Sequence, residues 1–220
     1  MKYFFSLLFL LTIHSSLFAQ GNADYFPQKE DEIVRLSSQL KENNTDEEKA
    51  KISGQIMLIL KEVYKTKDGF NYTFSKVKTI GFINSPDEQV KIINWNFEKQ
   101  DNTNQYYGLI VRYDDKKKAY VQYELLDNNP FAPIPENDYV YGDQWYGALY
   151  YKIIPNTASK KTTYTLLGYD ANNKTSHIKL IDELAFVGSK VKFGAPIFAV
   201  KKKSQKRVIF EHSKKSYMSL

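Results

Sequence analysis

Few side chains in this sequence are suited to bond-breaking chemistry. Two histidines, His177 and His212, lie in the body of the chain. A zinc site needs three or four ligands, usually with a helical i,i+3 or i,i+4 pair or a strand alternation. These two stand far apart in sequence, and there is no cysteine to join them. No metal and no cofactor are therefore expected. A Ser-His-Asp triad requires only closeness in space, so His177 with a serine and an aspartate stays open, although no nucleophile-elbow pattern occurs. Paired carboxylates are the signature of glycoside cleavage. Asp182-Glu183, Glu136 and Asp138 supply carboxylates, but the same residues also serve as ordinary surface solvation. Asp170-x-Asn172-Asn173 opens like a calcium loop, yet Lys174 takes the next ligand place, so a turn is the better reading.

Aromatic residues give the sharper candidate. Tyr139, Tyr141, Trp145, Tyr146 and Tyr150 cluster beside a segment containing Pro130, Pro133 and Pro135, with Tyr151 next in line. Aromatic rings offer a flat apolar face and a polar edge. An exposed row of them fits the apolar faces of sugar rings, whereas an alternating set fits the core of a sheet. Both readings stand at the level of sequence.

The elements that must position these residues can be read from periodicity. Ile33, Leu36 and Leu40 repeat at helical spacing over 28–43. Thr45-Asp46-Glu47-Glu48 forms a capping box, and Ile52, Ile56, Ile59, Leu60 and Val63 continue one apolar face. Residues 20–66 are thus expected to form a helical hairpin that packs on the β domain or serves as a partner-binding arm. Lys67-Asp68-Gly69 breaks the pattern, and alternation with period two begins. Apolar runs at 77–83, 90–97, 106–113 and 119–126 are separated by turn residues. Tyr107, Leu109, Val111 and Tyr113 are expected to match Ala119, Val121, Tyr123 and Leu125 across a tight turn. Residues 127–144 read as a loop. Further strands are expected at 145–154, 162–169, 193–200 and 207–212, while 178–186 is strand or short helix. The fold class is mainly β: an antiparallel sandwich, barrel-like or meander domain over 70–220, preceded by the helical hairpin.

The ends and the totals bound the compartment. Lys2 and the apolar run Tyr3–Ile13 have the charge and length of a signal peptide over residues 1–19, with cleavage between Ala19 and Gln20. Without a cysteine, disulfides and a lipoprotein anchor are excluded. An exported, periplasmic or secreted protein with no membrane span in the mature chain is expected. The net charge of +6 comes from dispersed residues, with Lys116–Lys118 and Lys201–Lys203 at turn positions, so no nucleic acid is implied. The ending Tyr217-Met218-Ser219-Leu220 has the texture of a strand interior, which suggests a natural C-terminus beyond Leu220.

Three stretches carry a resemblance: Trp145-Tyr146-Gly147-Ala148-Leu149-Tyr150-Tyr151, Leu166-Leu167-Gly168-Tyr169-Asp170, and Phe193-Gly194-Ala195-Pro196-Ile197-Phe198. In them, and at Phe18-Ala19-Gln20, the chain resembles uncharacterised exported proteins of Bacteroidetes-type bacteria over roughly 77–220. The resemblance implies compartment and origin and brings no activity. The expectation is a non-enzymatic exported protein that binds a glycan or another envelope component or serves a structural role there. The alternative is a hydrolase acting on envelope or extracellular polymers. Oligomeric state is left open.

Overall fold

The computed structural model describes residues 24–42, 44–127, 134–158, 160–200 and 203–220. The signal-peptide segment with Ala19 and Gln20, Pro130, Pro133 and the Lys201-Lys202 pair lie outside the described residues. Helix α1 spans Tyr25–Gln39 and α2 spans Asp46–Val63. The expected 28–43 helix thus starts earlier and ends earlier: the Asn44 side-chain Nδ2 donates to the Gln39 carbonyl at 2.9 Å and closes it. The capping box is present, with the Glu48 amide donating to Thr45 Oγ1 at 3.2 Å and the Thr45 amide donating to Glu48 at 2.8 Å. Lys67-Asp68-Gly69 is not a plain break. It opens a short helix α3, Lys67–Asn71, started by Thr66, whose hydroxyl accepts from the Gly69 amide. A Cβ at Gly69 would lie 1.9 Å from the Val63 carbonyl, so only glycine permits this close turn.

Twelve strands come next among the described residues. β1 (Gly81–Asn84), β2 (Val90–Glu98), β3 (Asn104–Asp114) and β4 (Ala119–Leu126) form an antiparallel meander. In the β3–β4 hairpin Tyr113 faces Tyr120, Val111 faces Gln122, and Leu109 faces Glu124. This corrects the expected face. The turn holds four residues, 115–118, so odd positions on one strand meet even positions on the other.

The second sheet contains β5 (Val140–Tyr141), β6 (Leu149–Asn156), β7 (Thr163–Asp170), β8 (Ser176–Val187), β9 (Lys190–Phe193) and β12 (Val208–Ser213). The ambiguous 178–186 segment is its central strand. One edge of β8 pairs with β7. Its other edge is shared, with β9 along Leu184–Val187 and β12 along Ser176–Ile181. The strand expected over 193–200 is broken, because Gly194 has φ +97° and turns the chain out of the sheet. The chain then makes a separate hairpin from β10 (Phe198–Val200) and β11 (Lys203–Gln205).

The result is three layers. One face of the first sheet (Ile92, Tyr106, Ile110, Leu125) packs on the inner face of the second (Tyr150, Ile153, Leu166, Leu180, Phe193). Its other face (Ile93, Trp95, Leu109, Val111) receives the helices through Ile33, Leu36, Ile56 and Leu60. The helical hairpin is therefore docked, and the Ile56 and Leu60 face is covered by the sheet rather than open to a partner. Each such buried aliphatic side chain contributes about 1.5–3 kcal/mol. The outer face of the second sheet has no layer over it among the described residues. No described helix is long and apolar enough to cross a membrane.

Candidate functional site: the aromatic cluster and the outer sheet face

Trp145, Tyr146 and Tyr150 are 0%, 8% and 2% exposed, which corrects the reading of an exposed aromatic row. They occupy the core between the sheets, where each polar edge finds a partner. The Trp145 indole N–H donates to the Tyr150 hydroxyl at 3.2 Å. The Tyr150 and Tyr146 hydroxyls lie 2.9 Å apart, and Tyr146 donates to the Asp182 carboxylate. Arg207 Nε also donates to Asp182, at 3.0 Å, and both side chains are fully buried. Its guanidinium lies 5.0 Å from the Tyr146 ring centre. Burial pushes the Asp182 carboxyl above the usual carboxylate range, opposed by the charge of Arg207. Burial likewise raises the hydroxyls of Tyr146 and Tyr150.

This buried network fixes a surface. Arg207 also donates to the carbonyls of Pro135 and Asp138, and the backbone amides of Lys206 and Arg207 donate to the Glu136 carbonyl. The strap 135–139 is thereby tied down, and it presents Tyr139, 45% exposed, at the edge of the outer sheet face. The Tyr139 ring has Lys192 Nζ 4.2 Å and Lys206 Nζ 4.7 Å from its centre. Tyr141 is half-buried beside Lys190, whose ammonium also pairs with Asp143 at 2.9 Å. Of the five aromatic candidates, the structure leaves Tyr139 and Tyr141 at the surface.

Sequence reading placed Tyr151 with the cluster and missed the rest of this face. Tyr151, 40% exposed, and Tyr169 flank Lys179, at 4.6 and 5.5 Å from its ammonium. Ladder register puts Tyr141, Leu167, Tyr169, Lys179, Ile181, Lys190, Lys192, Val208 and Phe210 on this same side. Lys179 and Ala185, which faces Lys192, are six positions apart on β8, about 20 Å along the strand. Glu183 is the one carboxylate at an outward position of the second sheet's described strands. It is 2% exposed, and the hydroxyls of Thr163 and Thr165 donate to its oxygens. Alternation is clear over Thr163–Gly168 and Ser176–Ile181, but Asp182, Glu183 and Leu184 are buried in succession, which is why the pattern of β8 hid the face.

The candidate catalytic groups do not converge. Asp182 and Glu183 point to opposite sides of β8, the first into the core and the second outward. Glu136 receives the Gln205 amide. His177 and His212 are direct cross-strand partners with ring centres 5.8 Å apart, a closeness their sequence separation concealed. Among the described residues, however, no group of three His, Cys, Asp or Glu side chains is arranged to hold a metal. Ser176, adjacent to His177, faces the other way and donates to Glu211. Asp170 is the last residue of β7, and its carboxylate holds the turn that follows: it accepts from the Tyr106 hydroxyl and the Asn172 backbone amide, both at 2.6 Å. Compared with family models, with curated proteins and with solved structures, the chain matches none.

Proposed function

We propose that this is an exported, non-catalytic binding module that holds an acidic polysaccharide on the outer face of its second sheet. The observation that carries the reading is the exposed Tyr139 ring attended by Lys192 and Lys206. An exposed phenol ring offers an apolar platform to the C–H face of a sugar. The neighbouring ammonium groups supply point charges for uronate carboxylates. Tyr151, Tyr169 and Lys179 repeat the combination further along the sheet, so an extended polymer rather than a single sugar suits the spacing. The leader-like composition of residues 1–19 supports export to a compartment where such polymers occur.

The test is titration of the purified protein with polygalacturonate, a neutral glucan and a single-stranded oligonucleotide at two salt concentrations. Polygalacturonate is expected to bind, more weakly at high salt, and the neutral glucan to bind poorly. Tyr139→Ala and Lys192→Ala are each expected to weaken binding about tenfold, which corresponds to about 1.4 kcal/mol. Equal binding of the oligonucleotide, or affinity indifferent to Tyr139→Ala, would refute the reading.

A further inference from the structure

A second concavity lies at the other side of the molecule, where the link between α1 and α2 approaches the β2–β3 turn. Its volume is about 740 Å³, within the range of small-ligand pockets. Four lysines line it, one from each surrounding segment: Lys41 at the end of α1, Lys49 on α2, Lys78 before β1, and Lys99 in the turn. Glu98 is the single carboxylate among the lining residues, and Lys99 already pairs with Asp101 at 3.6 Å, so Lys41, Lys49 and Lys78 are the cations that would meet a ligand's charge. The remaining walls are mostly amides and hydroxyls. The Asn96 amide donates to Asn104 Oδ1 at 2.7 Å, which orients this pair, and a carboxamide pair retains further donors and acceptors. Thr79 Oγ1 is buried on the cleft wall and has no hydrogen-bond partner among the described residues. An unmet hydroxyl of this kind is destabilising unless something in the cleft supplies the bond.

The cleft is also held in shape from both sides. The Gln100 backbone amide donates to both Asp46 carboxylate oxygens, at 3.1 and 3.4 Å, and so ties the turn to the start of α2. Lys49 Nζ donates to the Glu98 carbonyl at 3.2 Å. Phe97 is the one aromatic residue in the lining, and it is 4% exposed, so it offers no open ring face. That feature separates this cleft from the outer sheet face. It suits a small polar ligand held by hydrogen bonds and charge rather than by stacking.

We infer that this cleft binds a sugar carrying a tetrahedral oxyanion, its phosphate or sulfate ester at the lysines and its hydroxyls at Asn96, Asn104 and Thr79. The inference stands independently of the outer-face reading, since the two share no residue. Amide-detected NMR and calorimetry with glucose 6-phosphate, N-acetylglucosamine 6-sulfate, glucose and inorganic phosphate test it, and the two esters distinguish the anion's source. At least one ester is expected to bind, with shifts confined to residues around 41–49, 78–79 and 96–104, and at least tenfold more tightly than glucose or inorganic phosphate. Lys41→Ala combined with Lys78→Ala is expected to lower that affinity at least tenfold. Thr79→Val is expected to lower it several-fold, with Thr79→Ser restoring it. Lys192→Ala is expected to leave it unchanged. Failure of both esters to bind overturns the inference, as does inorganic phosphate binding equally well with no response to Thr79→Val.

Discussion

At the scale of single residues, two deeply buried cations show two solutions to one problem. Arg207 meets a carboxylate, Asp182, and backbone carbonyls. Lys91 is 4% exposed and pairs with no carboxylate among the described residues: its ammonium donates to the Phe70 carbonyl and lies 5.2 Å from the ring centres of both Tyr64 and Phe70. Burial pushes the Lys91 amine down to about 8, against 10.5 for a free lysine. The folded state therefore releases this proton at lower pH than the unfolded state does. Below pH 8 both states are protonated, and the native state carries the full cost of desolvating the charge. Between about 8 and 10.5 the unfolded chain holds more protons, so the Lys91 contribution to stability rises with pH across that window. The gap corresponds to about 3 kcal/mol. Urea unfolding of the native protein and of Lys91→Met at pH 7 and pH 10 measures it directly. The native protein is expected to gain on the variant by that order as pH rises. A constant difference between the two would show that the amine stays charged in the fold.

At the scale of elements, Arg207 fastens the strap 135–138 to the β8–β12 pair, with which the strap shares no ladder. It stands before β12, meets Asp182 in β8, and holds the strap 135–138 through two carbonyls. A Cβ at Gly194 would come within 3.2 Å of its guanidinium and of the Lys206 side chain, a tight contact added to the φ of +97° that favours glycine there. Arg207→Met is expected to cost about 3–5 kcal/mol by leaving Asp182 buried and unpaired, and to weaken protection of the 135–139 backbone in hydrogen exchange. The combined Arg207→Met, Asp182→Leu variant is expected to recover much of that stability without restoring the strap. Elements governed by local rules were legible in the sequence. The Thr45–Glu48 box starts α2 at the expected place, and β4 runs from Ala119 to Leu126 as expected. What escaped depended on register or on distant partners. Across the four-residue turn the parity of β3 and β4 reversed. Trp145, Tyr146 and Tyr150 fit either a surface row or a core in sequence, and the partners that complete their buried network, Asp182 and Arg207, lie far along the chain. Tyr139, by contrast, ends the strap that Arg207 pins and is left 45% exposed.

At the scale of the whole molecule, the first sheet is the shared wall of two cores. Neighbouring residues on β2 and β3 serve opposite sides: Ile92 and Ile110 contact the second sheet, while Ile93 and Leu109 contact the helices. Cover on both faces explains why β2 is buried without a break over Val90–Trp95, Lys91 and Asn94 included, rather than alternating buried and exposed. It also couples the layers, because losing either neighbour exposes one face of the same strands. Trp95 donates to Ser53 of α2 at 3.2 Å and reports the helical core, while Trp145 reports the core between the sheets. The sequence contains only these two tryptophans. In a Trp95→Phe variant, fluorescence therefore tracks the sandwich alone, and ellipticity at 222 nm tracks mainly the helices. The two urea transitions are expected to coincide, as they must for all-or-none unfolding. Helical signal lost at lower urea than Trp145 fluorescence would mean that the first sheet keeps its place on the second after the helices leave. The helical hairpin would then be an addition to an independent sandwich rather than one of three interdependent layers.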